Sequence, residues 1–135
     1  MSWTQEVFGG TPIVHMDPSM LFSTANMIEP VSSIPYIDFN FPFSVIGYRT
    51  YRWKTSLIFQ SGTYLFEYDA VDGVRAYINE NLLIPDYPDT NSWKEQSQTK
   101  YGVMIKLETG TYDLRVEYYS SKNSGRVRFY WNLKL

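Results

Sequence analysis

From Tyr51 almost to the end of the chain, apolar and polar residues alternate with a period of two, and this pattern constrains the fold more than any other feature. Tyr64, Phe66 and Tyr68 alternate with Leu65, Glu67 and Asp69. Tyr101, Val103, Ile105 and Leu107 do so with Gly102, Met104, Lys106 and Glu108. Tyr112, Leu114, Val116 and Tyr118 follow, and Val127, Phe129, Trp131 and Leu133 close the series. Strands with one apolar face and frequent turns predict an all-β antiparallel sandwich or barrel with little helix. At 135 residues the chain is long enough for a real core and too short for two ordinary domains, so residues 1–135 read as one domain.

Two stretches share one design. Gly62, Thr63, Tyr64 and Gly110, Thr111, Tyr112 each open an alternating run, and the returns are Val74, Arg75, Ala76, Tyr77 and Val127, Arg128, Phe129, Tyr130. The glycines suit turns that need positive φ, and each run with its return reads as a hairpin. Keeping the apolar set on one face pairs Tyr68 with Val74, Phe66 with Ala76 and Tyr64 with Ile78, leaving Asp69 to Gly73 as the loop. The same logic pairs Tyr118 with Val127, Val116 with Phe129 and Leu114 with Trp131, leaving Tyr119 to Arg126. If the hairpins are structural echoes, both loops leave the same end of the fold. One loop brings carboxylates and the other an amide and hydroxyls, a mixture suited to a hard cation or to sugar hydroxyls. Equally, Asp72 and Asn123 are ordinary turn residues that bond their own backbone.

Five of seven prolines fall in the first third, which predicts loops and short strands there, with Ile37, Phe39, Phe41 and Phe43 along an edge strand. The one helix candidate runs from Asp17 to Met27, with Pro18 at its first position. Between Ile84 and Lys100 lies a long polar connection. Its Tyr87 and Trp93 are candidate contact residues, although Trp93 is better suited to capping the end of a sheet.

Composition narrows the chemistry. Twelve basic residues against fourteen acidic ones leave no electrostatic footprint for a polyanion, so nucleic acid is excluded as a partner. Twelve tyrosines suit sugar stacking. Without cysteine there is neither a disulfide framework nor a thiol nucleophile. The N-terminus has no basic or apolar leader region and no run of about 18 apolar residues occurs, so the chain reads as soluble, without signal peptide and not transmembrane. His15 is the only histidine and no nucleophile elbow is present. Carboxylates that might pair as in a glycosidase, Asp69, Asp72, Asp86 and Asp89, show no spacing that selects them. The chain does not read as an enzyme.

Taken in order, Gly62, Thr63, Tyr64, then Asp72, Gly73, Val74, Arg75 with Tyr77 and Ile78, then Leu107, Gly110, Arg115 to Tyr119, and Trp131 resemble the line of the protective-antigen (PA-fourteen) domain. Phe8 with Gly10 to Val14 is similar to that family's opening, and Ile37, Asp38, Phe39, Arg52 and Trp53 to the strands that follow. The resemblance implies a non-catalytic β-sandwich module of surface and extracellular proteins that often binds carbohydrate. In its calcium-dependent lectin members two adjacent aspartates hold Ca²⁺ with an asparagine from a later loop. Asp72 matches the second aspartate and Asn123 the asparagine, while Val71 stands in place of the first. The resemblance therefore implies no cofactor or a weak calcium site; joined to the reading of the loops, it leaves Asp69, Asp72, Tyr87, Trp93, Tyr119 and Asn123 as the candidate ligand-binding residues. A basic side chain, Lys122 or Arg126, is expected to replace the ion by pairing with Asp72. Partners are a glycan or a protein surface, the second corresponding to a structural assembly or decoration protein that self-associates or coats a particle.

Overall fold

The computed structural model describes residues 2–9, 27–41, 49–84, 99–120 and 125–135. Among these residues ten strands form two antiparallel sheets: β1 (Trp3–Gly9), β2 (Ser32–Ile34), β3 (Ile37–Phe41), β4 (Arg49–Phe59), β5 (Gly62–Val71), β6 (Gly73–Ile78), β7 (Asn81–Ile84), β8 (Thr99–Leu107), β9 (Gly110–Ser120) and β10 (Gly125–Lys134). The six-stranded sheet has the order β2-β1-β4-β9-β6-β7 and the four-stranded sheet the order β3-β10-β5-β8. The edge strand expected over Ile37 to Phe43 is described as β3 as far as Phe41, Phe43 lying outside the described residues; the helix proposed over Asp17 to Met27 also lies outside them except for Met27, which bridges to Phe8.

The two hairpins expected from the sequence are not hairpins. β5 pairs with β10 and β8, whereas β6 pairs with β9 and β7. Likewise β9 lies between β4 and β6, and β10 lies in the other sheet. Each return is an arch: the chain leaves one sheet at the end of a strand and enters the other. The apolar residues grouped by the pairing argument do face one another, but across the core rather than along a ladder. Tyr64, Phe66, Tyr68, Val74, Ala76 and Ile78 all belong to the buried cluster. Sandwiching brings apolar faces together about 10 Å apart, so an arch satisfies the same burial as a hairpin.

Both Gly-Thr-Tyr segments also open arches, at the opposite end of the sandwich. β4 crosses to β5 through Gln60 and Ser61, and β8 crosses to β9 through Glu108 and Thr109. The two lie side by side, because Phe59 pairs with Gly110 in one sheet and Gly62 with Leu107 in the other. The repeated tyrosine closes each crossing. Tyr64 donates its hydroxyl to the Gln60 carbonyl at 2.7 Å, and Tyr112 donates to the Glu108 carbonyl at 2.8 Å. A carbonyl at a chain reversal has no ladder partner, and the phenol supplies one from a ring that is otherwise packed. Neither Gly62 nor Gly110 takes positive φ, contrary to the turn argument; among the described residues the non-glycines that do are Asp72, Asn79 and Glu80. Asn79 and Glu80 form the tight turn between β6 and β7.

Aromatic rings fill the core. Trp53 is fully buried, stacked on Tyr51 at 5.4 Å and on Phe39 at 5.7 Å, and its indole N–H donates to Gln5 Oε1 at 2.8 Å. Edge-on contacts of Phe59 with Tyr64 and Tyr112 continue the packing toward the Gly-Thr-Tyr end.

Candidate functional site

The second pair of arches meets at the other end of the sandwich. Val71 pairs with Arg126 in one sheet and Gly73 with Tyr119 in the other, so the corner at Asp72 stands beside the end of β9 and the start of β10. Asp72 bridges the sheets with φ of 76°, a left-handed conformation that aspartate tolerates better than most residues, and its side chain is 4% exposed. Tyr118 ties the two arches together. Its hydroxyl donates to the Val71 carbonyl and accepts from the Arg126 backbone N–H at 3.1 Å. Burial and then the Asp72 carboxylate push its ionisation far above the ordinary phenol range, so it stays a donor at any physiological pH.

The residues proposed from the sequence do not converge as the loop model required. Asp69 is not in a loop: it lies on β5, paired with Lys100 on one side and Arg128 on the other. Tyr119, expected to offer a stacking surface, is 2% exposed and its ring lies against Gly73, where a Cβ would come within 2.0 Å of it. Its place on the strand fixes this, because cross-strand register sets the ring over the one residue without a side chain. Arg126 does not turn to Asp72; its Nη1 donates to Asp38 Oδ1 at 2.9 Å and lies 3.4 Å from Asn40 Oδ1. Tyr87, Trp93, Lys122 and Asn123 lie outside the described residues.

Charges are organised in two rows that the sequence reading missed. Across the six-stranded sheet Glu6, Arg52, Glu117 and Arg75 stand in register on β1, β4, β9 and β6. Arg52 grips Glu6 through two bonds of 2.9 and 3.2 Å, and Arg75 Nε donates to Glu117 Oε1 at 2.6 Å with both side chains buried. Burial raises the ionisation of Glu6, but bonds from Arg52 and Lys54 outweigh it and hold the carboxyl below its usual range. Across the other sheet Lys100, Asp69, Arg128 and Asp38 alternate in the same way. Opposite charges directly across a ladder help to fix register. The signal for the first row was present in Val-Arg-x-Tyr and Arg-Val-Glu, but only the strand order makes it readable.

The arch end does not supply a calcium shell from the described residues. Ca²⁺ takes six to eight oxygens. Val71 brings none from its side chain and its carbonyl already accepts from Tyr118. Asp69 belongs to a charge row, which leaves Asp72 as the carboxylate at the corner. Among the described residues no three acidic or histidine side chains cluster as metal ligands. No described helix is long and apolar enough to cross a membrane. A further concavity, unforeseen from the sequence, opens at the side of the sandwich between Trp3, Tyr36, Phe129 and Trp131.

The sequence profile of the PA14 domain matches residues 39–134. Anti-sigma-I factor RsgI3 of Acetivibrio thermocellus is 35% identical over 108 residues, which is 74% of this chain and 16% of that protein. The chain thus spans about a sixth of the curated relative. Among solved structures, an anti-sigma factor domain-containing protein superposes over 98% of this chain and 43% of its own, with a TM-score of 0.74 and 26% identity. A PA14 sugar-binding domain from an RTX adhesin covers 98% of this chain and 89% of its own, with a TM-score of 0.75 and 15% identity.

Proposed function

The chain belongs to the PA14 domain family, and from that premise we propose that it is a non-catalytic carbohydrate-recognition module whose ligand meets the paired arches around Asp72 and Asn123. The observation that carries this reading is the register that sets Val71 beside Arg126 and Gly73 beside Tyr119, so that the two crossings share one end of a rigid scaffold. The same fold serves as a sugar-binding domain in the RTX adhesin, which supports the ligand class.

Recognition on this reading runs without calcium. The hydroxyls and amide of Ser121, Asn123 and Ser124, with Lys122, are the groups that contact sugar, and Tyr87 or Trp93 supplies a stacking face. Asp72 organises the corner rather than ligating an ion. The similarity to one part of anti-sigma factor proteins supports a place as one part of a longer polypeptide.

A glycan array run with calcium and with chelator tests the reading: binding of the same sugars under both conditions is expected, and no binding under either sinks it. Thermal stabilisation by low-millimolar calcium, abolished by Asp72→Asn, would overturn the metal-free mechanism.

A further inference from the structure

Beside β3 the sandwich leaves an aromatic cleft. Ile37 and Phe129 make the last register contact between β3 and β10, while β10 continues along β5 as far as Lys134. From Tyr130 onward β10 therefore has no ladder partner on its β3 side among the described residues. Tyr36, just before β3, is 72% exposed at this opening.

The cleft encloses about 160 Å³ between Trp3, Ile37, Phe129 and Trp131, with Tyr36 and Tyr130 at its mouth. A cavity of about 150 Å³ accommodates benzene, so the space suits one six-membered ring. An adjoining hollow of about 250 Å³ shares the tyrosines and adds Asp38 and Arg128. The Arg128 guanidinium lies over the Tyr130 ring, 4.5 Å from its centre, and its Nε is buried with no hydrogen-bond acceptor. A buried donor in that state carries a desolvation penalty that an incoming oxygen relieves.

We propose that this cleft is a carbohydrate subsite, distinct from the paired arches, that takes a single uncharged pyranose ring. The C–H face of the ring packs on Tyr36, which lines both hollows, a ring or hydroxyl oxygen accepts from Arg128 Nε, and a hydroxyl donates to the Asp38 carboxylate. Other ring-sized ligands fit less completely. An aromatic ring would fill the walls and leave Arg128 Nε without an acceptor, and a phosphate would bring its charge against largely aromatic walls at a desolvation cost. Few polar groups beside an otherwise apolar, aromatic concavity are what fix orientation in a small-ligand site. Along β10, Trp131 lies five residues from Arg126, about 17 Å at the rise of a strand, so the subsite and the arch end are separate places on the surface.

The test uses the methyl glycosides of glucose, galactose, mannose and xylose, with saturation-transfer NMR for binding and tryptophan fluorescence as the local readout, since Trp3 and Trp131 line the cleft. At least one glycoside is expected to bind wild type and change the fluorescence. Tyr36→Ala and Arg128→Ala are each expected to weaken it about tenfold or more, the loss of one good contact. Asp72→Asn is expected to leave it unchanged. Tyr36→Ala should keep the wild-type melting temperature because the side chain is exposed, which separates lost binding from lost folding. Absence of binding by all four glycosides, or binding that survives both cleft substitutions, overturns the subsite. Binding abolished by Asp72→Asn alone would also overturn it while leaving recognition at the arches intact.

Discussion

Gly73→Ala is the substitution whose consequence follows most directly from geometry. A Cβ on Gly73 would lie 2.0, 2.5 and 2.8 Å from three ring atoms of Tyr119. The ring must retreat by roughly 1.5 Å to reach the separation at which carbon atoms attract. It is 2% exposed and has little room to do so. Overpacking of a filled site costs about 1–3 kcal/mol, and contact along one side of an entire ring places this case near about 3 kcal/mol. Gly73 does not have positive φ, so backbone strain adds nothing, and alanine in a strand would otherwise be mildly favourable. Urea unfolding should show a midpoint lowered by about 1.5 M for an m-value near 2 kcal/mol/M. Tyr119→Ala alone should cost about 3–5 kcal/mol as a truncated buried aromatic. In the double variant the new methyl enters vacated space, so its loss should match that of Tyr119→Ala, giving a coupling of about 3 kcal/mol. A Gly73→Ala protein within about 0.5 kcal/mol of wild type, or a cycle additive to that margin, would refute the argument.

Glu117→Gln should destabilise the protein by about 3 kcal/mol, because it leaves the buried Arg75 guanidinium facing a neutral amide. Pairing it with Arg75→Met should recover much of that loss in chemical unfolding, and failure to recover would point to a packing role instead. Tyr118→Phe removes a donor to Val71 and an acceptor for Arg126, an expected loss of about 2–3 kcal/mol read by calorimetry. It carries a pH signature as well. The folded-state ionisation of Tyr118 is raised above the ordinary value of 10.0, so its contribution is complete below that pH and is lost as pH rises above it; the Phe variant should lose less stability than wild type between pH 10 and 12. Glu6 behaves oppositely: its ionisation is lowered from 4.5, so its contribution is present above that pH and lost as pH falls through the folded value, and Glu6→Gln should flatten acid unfolding there.

The alternation from Tyr51 onward was enough to assign strands and their buried faces and to narrow the architecture to a sandwich or barrel, because period-two burial depends only on which side of a strand meets the core. It could not tell a hairpin from an arch. Tyr68 and Val74 share the core under either arrangement, and nothing in their identity records whether backbone bonds or side-chain packing joins them. That ambiguity carried Asp69 into a loop and Tyr119 onto the surface, whereas Asp69 is inside β5 and Tyr119 is held against Gly73. β7 escaped notice because Asn79 and Glu80 make a turn that glutamate seldom enters, and because four residues are too few for periodicity to show. The cleft at Tyr36 was hidden for another reason: it exists only because β3 ends while β10 continues, and relative strand lengths are set by the sheet, not by the local sequence.

Arches also dictate when the molecule can assemble. In the four-stranded sheet no two neighbours are consecutive in the chain, and in the other only β1 with β2 and β6 with β7 are. Val7 must wait for Tyr51, and Thr50 for Tyr119, before either ladder closes. A nascent chain leaving the ribosome would therefore hold one edge of its central strand β4 unpaired until β9 had been synthesised. Topologies of this kind fold slowly, since distant segments must meet before any ladder rewards them. Until then the unpaired edges invite the wrong strands, from other copies as readily as from its own. For this chain the vulnerable interval is the span of translation between β4 and β9, and a destabilised variant should reveal itself first as lost soluble yield rather than lost binding.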